Sequence, residues 1–354
     1  VQPGHHLGSA HASDSPRCAM TIRLSSLKVS PDAFASVMAT GILSTAAKNH
    51  HYLSISNALS LIAVLAWAAL VVLTIVSAAA QRRALPWDLA KLENTMPLFT
   101  FVAACAVLCN RLSSGHPLVL PILGAIAAAA WLALMLASTR NIARRRLPGL
   151  RDQVHGAWLL SSVATSGLAI VATKLASSTG HRQWLTAAVV MWVLALALYL
   201  AVAALIAWRA VDERLDRDGF EPDTWILMGA LAIAVVTGHD IHLQTRSWLG
   251  GTVDATTLAA WALATLWIPP LIYFGLHRVE QRPKLLRFTG AWWTLVFPLG
   301  MYSVATYMTA GEMHARSLQT VSLVFFWDAL LAWSIVVIAG LLRIPRAVTG
   351  RRRG

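Results

Sequence analysis

Apolar residues fill this chain in ten long runs, broken by short polar or basic connections. The runs lie at 29–47, 55–80, 94–112, 117–139, 155–176, 184–209, 224–245, 255–277, 289–310 and 316–341. Each predicts a helix able to cross a bilayer, which takes roughly 20 mostly apolar residues. A helix pairs its own backbone groups, as lipid requires. The first members of successive pairs begin near 29, 94, 155, 224 and 289, spaced 65, 61, 69 and 65 residues apart. That repeat predicts five tandem helical hairpins.

The two members of each pair differ. Odd-numbered runs hold 20 Ser and Thr, against 14 in the longer even-numbered runs. Nine of the 15 tryptophans fall in even runs and four in odd ones. Bulky apolar helices suit lipid contact, whereas small and hydroxyl residues suit close packing or a wet lumen. The expected fold is an all-α integral membrane protein of ten transmembrane helices. Its five odd helices form an inner pore ring, with the even ones outside. Helix breakers fit in part. Pro31, Gly41, Pro97, Gly167, Gly229, Gly238, Pro298 and Gly300 lie in odd runs, but Pro121, Pro269 and Pro270 lie in even ones.

Composition agrees with a membrane domain. Charged residues make up 13% of the 354 residues and mean hydropathy is +0.60. A soluble domain carries about twice that charged fraction. The net charge of +13 reflects topology. With ten spans both termini share a side, and that side holds 23 of the 29 Lys and Arg. Lys/Arg excess marks cytoplasmic loops, so both termini are expected in the cytoplasm of a multi-pass cell-membrane protein. The basic residues are scattered over six segments. They suit anionic headgroups, not the concentrated patch of a nucleic-acid-binding module.

The connections are too short for a catalytic or nucleotide-binding domain. No phosphate-binding G-x-x-x-x-G-K-[ST] motif occurs, so transport would be passive or ion-coupled. Residues 1–28 read as a disordered polar tail without a signal-peptide core. Residues 29–342 form the membrane domain, and 343–354 a basic tail. Cys105 and Cys109 share a helix face and read as small buried hydrophobes. No metal site or cofactor is expected.

The most informative stretch is 291–306, AWWTLVFPLGMYSVAT. Trp293, Thr294, Phe297, Gly300 and Met301 fall within about 60° of one line on a helix turning 100° per residue. A large ring among small and hydroxyl neighbours, just before a proline, can block hydrated ions by sterics and dewetting. It can equally be a packing residue. Intramembrane ionisable groups form a second set. Asp328 lies mid-span in the tenth run, where a charge should face protein or water. His239 and Asp240, with His242, cluster at the end of the seventh. Asp328, His239 and Asp240 are candidates for proton coupling.

Two motifs carry a family resemblance. They are Pro31-Asp32-Ala33-Phe34-Ala35-Ser36-Val37-Met38-Ala39-Thr40-Gly41-Ile42 in the first run, and Trp292-Trp293-Thr294-Leu295-Val296-Phe297-Pro298-Leu299-Gly300 in the ninth. With the ten-span pattern over about 29–342, the chain resembles the tellurite-resistance/dicarboxylate transporter family. That family includes TehA-type proteins, fungal malate permeases and plant slow anion channels. The resemblance implies five hairpins around a pore, a homotrimer with one pore per subunit, and passage of small anions. Those anions are C4-dicarboxylates such as malate, or inorganic anions including tellurite-type oxyanions. It implies that Phe297 is the gate and that the protein is no enzyme.

Lacking a central Lys or Arg, the lumen would draw anions with hydroxyls, exposed N–H groups at helix breaks and half-helix dipoles. Thr40, Gly41, Ser162, Thr165, Gly238, Thr294, Pro298 and Gly300 are the candidate lining. Helix packing is the competing role for each. The alternative from another class is an intramembrane haem or redox enzyme using His155, His239, His277 and His314. It requires two histidines facing each other at one depth.

Overall fold

The computed structural model describes residues 29–113, 118–144, 153–212, 222–245, 249–281 and 292–342. Both terminal tails read from the sequence, 1–28 and 343–354, lie outside them. Among the described residues ten α-helices carry the fold: α1 Ala35–Asn49, α2 Leu53–Ala80, α3 Leu92–Leu112, α4 Val119–Ala143, α5 Leu160–Thr179, α6 Arg182–Asp212, α7 Ile226–His242, α8 Leu249–Gln281, α9 Trp293–Glu312 and α10 Arg316–Leu341. Short 3₁₀ turns at Gly156–Leu159 and Pro222–Trp225 lead into α5 and α7.

Each helix packs most closely on its hairpin mate. The odd helices also touch one another in a closed cycle: α1 on α3, α3 on α5, α5 on α7, α7 on α9, and α9 back on α1. Every even helix lies outside and leans on the following odd helix, with α10 leaning on α1. Solvent exposure follows the same division. The apolar cores of α3, α5 and α7 are 78–89% buried, and those of the even helices 17–33%. Length follows too. The even helices run 25–33 residues and the odd ones 15–21.

Among the described residues eight helices are long and apolar enough to cross a membrane, and α1 and α9 are not among them. That measure covers eight of the ten expected spans. At 1.5 Å per residue the 15-residue α1 covers only about 22 Å; α9 is long enough but less apolar. Both are shielded by the outer layer, so neither has to satisfy lipid along its whole length.

Local chemistry closes the hairpins. His51 and His314 sit in the left-handed region (φ 63° and 52°) at the α1–α2 and α9–α10 turns. Gly180 (φ 71°) ends α5, where a residue without Cβ adopts that conformation freely. Beneath two of these turns lies the same reciprocal clasp. Ser44 and Ser56 each donate to the other's carbonyl at 2.7 Å, and Ser303 and Ser322 do so at 2.8 and 2.7 Å.

The outer layer is fastened to the inner one by indoles. Trp131 of α4 donates to Thr165 of α5 (2.9 Å), Trp192 of α6 to the Ala234 carbonyl of α7 (2.8 Å), Trp261 of α8 to Thr306 of α9 (3.1 Å) and Trp333 of α10 to Thr40 of α1 (2.9 Å). The fifth even helix, α2, sets Trp67 against the Cys105 thiol of α3, and among the described residues its buried N–H has no nitrogen or oxygen acceptor. Thiols accept weakly. Cys105→Thr supplies the hydroxyl used at positions 40, 165 and 306. A hydrogen bond between membrane helices contributes about 0.6 kcal/mol, so the melting temperature in detergent should rise by about 1–2 °C.

Candidate functional site

The ring of odd helices lines a small cavity. All five contribute: Ile42 and Thr45 from α1, Ala106, Val107 and Asn110 from α3, Gly167 and Ile170 from α5, Ile233 and Val236 from α7, and Met301, Val304 and Met308 from α9. Its walls leave room for about one water molecule. Only Thr45 and Asn110 bring polar side chains. The lining residues lie in the middle and later parts of their helices, so the cavity faces the end where the hairpin turns lie. We call this the hairpin end, and the opposite end the linker end.

Phe297 lies below this cavity. It is on α9, one turn before Met301 and on the same face, and is fully buried. Met301, from the same sequence stripe, reaches the cavity wall. Stepping each inner helix one turn toward the linker end places Met38, Ala103, Val163 and Gly229 opposite Phe297. All are buried. Pro298 packs against Gly229, where an added Cβ would stand 3.0 Å from its ring. A glycine at 229 thus lets α7 approach the proline.

The predicted lining is largely redirected. The Thr40 hydroxyl donates to the Ser36 carbonyl (2.7 Å) and accepts from Trp333. Ser162 donates to the Ala195 carbonyl of α6 (2.7 Å). Thr165 donates to the Ser161 carbonyl (2.7 Å) and accepts from Trp131. Gly238 abuts Thr257 and Trp192 of the outer layer. These four serve the contact between layers. Gly41 faces Val107 and Gly300 faces Ile42, so both are close-approach points between inner helices. Thr294 is buried one turn before Phe297 on its face. None of the eight is in the cavity wall.

Sequence reasoning missed Gly167, Asn110 and the aliphatic wall. Inner helices are apolar on every side, so no amphipathic stripe marks the face turned inward. Gly167, against Ala106 of α3, is the one lining glycine.

Charged groups gather at the helix ends. At the hairpin end His239 of α7 pairs with Glu312 of α9, and His242 with Asp254 of α8. Asp240 is half-buried beside Lys174 and His239. Arg111 of α3 donates to Ser44 (2.9 Å), Ser56 (3.0 Å) and Asn57 (3.1 Å). Among the described residues no carboxylate lies within ion-pair reach of it. At the linker end Asp223 binds His155 Nδ1 (2.7 Å) and accepts from the Ala157 N–H (2.9 Å), locking the two 3₁₀ turns together. Asp328 is exposed on the outward face of α10. The buried stripe of α10 carries Ser322, Phe326, Ala329 and Val336.

The haem geometry is not met. His155 and His277 lie toward the linker end, and His239 and His314 at the hairpin end. His155 holds Asp223, His239 holds Glu312, His277 stacks on Tyr273, and His314 donates to the Glu312 carbonyl (3.1 Å). Among the described residues no three His, Cys, Asp or Glu converge as a metal site.

A sequence model described as voltage-dependent anion channel (SLAC1) matches residues 28–341. An uncharacterized membrane protein of Mycobacterium tuberculosis is 32% identical over 157 residues, 43% of this chain and 79% of that relative. An uncharacterized transporter of Methanocaldococcus jannaschii is 21% identical over 144 residues, 40% of this chain and 41% of that protein. The family match spans all five hairpins, the cavity wall and the motif around Phe297. The chain therefore belongs to the voltage-dependent anion channel family of membrane transport proteins.

Proposed function

We propose that this protein conducts small anions along the axis of the inner ring, through a path plugged by Phe297. One observation carries the reading: a cavity is walled by all five inner helices, and one turn on α9 carries a large, fully buried ring. A hydrophobic constriction of this kind closes a path by steric exclusion and dewetting. Family membership supports anions as the cargo. The cavity is mostly apolar, which fits weak binding and rapid exit.

Selectivity then rests on potential rather than on a tight site. Arg111, held by neutral acceptors at the hairpin end, is the group best placed to attract anions into the mouth. The His239–Glu312 and Lys174–Asp240 contacts offset charge near the same mouth and are candidates for any proton coupling. The charge bias of the sequence supports a linker end that faces the cytoplasm. In this reading the protein sits in the cytoplasmic membrane as a homotrimer with one path per subunit. C4-dicarboxylates such as malate and inorganic oxyanions are the candidate cargo.

Proteoliposome flux with chloride, nitrate, sulfite and malate, with and without a pH gradient, tests the proposal. Anion flux that exceeds potassium flux is expected, and Arg111→Gln should lower it. Equal anion and cation flux, or none for any anion in wild type and Phe297→Ala alike, would refute an anion conduit.

A further inference from the structure

Asp328 stands near the centre of the 26-residue α10 and points away from the bundle. Val324, Leu331, Ile335 and Ile338 share its face and are more than half exposed. At that depth a carboxylate meets acyl chains, which offer no hydrogen-bond donor. Among the described residues it has no partner.

The neighbouring position supplies the missing chemistry. Trp327 is 45% exposed, and its ring is held edge-on by Tyr52 and Phe326. The described residues give its indole N–H no acceptor. An unsatisfied acceptor and an unsatisfied donor thus lie side by side on one outward face, at one depth. Such a face is complementary to itself. It can pair across a two-fold axis, or join head to tail around a ring.

We propose that the Val324–Asp328–Leu331 face of α10 is the contact between copies of this chain. Asp328 of one copy accepts a hydrogen bond from Trp327 of the partner subunit. The pair is buried on assembly, which removes both groups from lipid. This goes beyond the anion path: it names the face and the polar pair that set the assembly, and it holds whether or not the path conducts.

The test uses the full chain in lipid nanodiscs or native membranes, with a benzophenone amino acid in place of Leu331. Illumination should give an adduct of two copies of the chain, identified by mass spectrometry. Asp328→Leu and Trp327→Phe should each lower its yield about three-fold, as loss of one such hydrogen bond predicts. Asp328→Asn, which still accepts, should keep it. Leu is at home on a lipid face and Phe conserves the ring, so neither change threatens folding; size-exclusion profiles check this. Adducts with lipid or other proteins alone, or a two-copy yield indifferent to both substitutions, would overturn the proposal.

Discussion

Phe297→Ala should raise anion flux through the protein at least about tenfold. The ring lies one turn below a cavity already wide enough for a water molecule. Its opposite numbers are small or flexible: Ala103, Val163 and Gly229, with Met38. Removing the ring leaves no comparable bulk at that level, so a continuous wet path should form. A tenfold gain corresponds to lowering the barrier by only 1.4 kcal/mol, a small part of what a dewetted plug imposes on an ion. The substitution also opens a hole in packed core, at about 3–5 kcal/mol of stability. A monodisperse size-exclusion profile must therefore accompany the flux. Phe297→Leu should fall between wild type and Ala. Unchanged flux in a well-folded Ala variant would mean that the path closes elsewhere, or that the cavity is blind.

Gly156→Ala should be the most damaging of the small substitutions. Gly156 opens the turn before α5, and a Cβ there would overlap the Asp223 backbone carbonyl in the turn before α7. Neither side of this contact is a flexible side-chain tip. Two bonds hold the turns in place: Asp223 Oδ2 to His155 Nδ1 and to the Ala157 N–H. Relief requires α5 and α7 to separate at the linker end. Overpacking of this kind costs about 3 kcal/mol, which corresponds to a fall of roughly 6–12 °C in melting temperature. By contrast, Gly251→Ala adds a Cβ to open space on α8 and should leave melting unchanged within a degree or two. Thermal unfolding in detergent compares the two directly. Equal melting temperatures would show that the junction yields.

The division into layers was readable from sequence because lipid imposes it. Helices exposed to acyl chains become long and uniformly apolar, and the five even runs are. The tryptophan excess in those runs had a cause that sequence alone did not reveal. Trp131, Trp192, Trp261 and Trp333 each reach inward to a hydroxyl or carbonyl of the next odd helix. That contact also occupies the hydroxyls of Thr40 and Thr165. Their hydroxyls are acceptors for indoles, so hydroxyl content marked the inner helices without marking their inner faces. Ser162 went the same way, toward the Ala195 carbonyl.

Asp328 reads differently. Its own face was legible: positions 324, 328, 331 and 335 recur at helical spacing and are otherwise aliphatic. The opposite stripe at 322, 326, 329, 333 and 336 holds Ser, Ala, Val and two aromatics, and small residues mark a packed face between membrane helices. Reading Asp328 with its neighbours, and not as an isolated charge, places it outward. The cavity wall resisted such reading because α5 and α7 are buried on nearly every side. Only closure of the ring decides which residues point to its axis.

The central claim is that the ring encloses a path closed at position 297. The most direct measurement uses Thr294→Cys, three residues to the linker side of Phe297, in a background without other cysteines. A small anionic, membrane-impermeant thiol reagent is applied from the hairpin end alone. The cysteine should stay unmodified while Phe297 is present and react when Phe297→Ala is added. Equal reaction in both backgrounds, or reaction in neither, would contradict the claim.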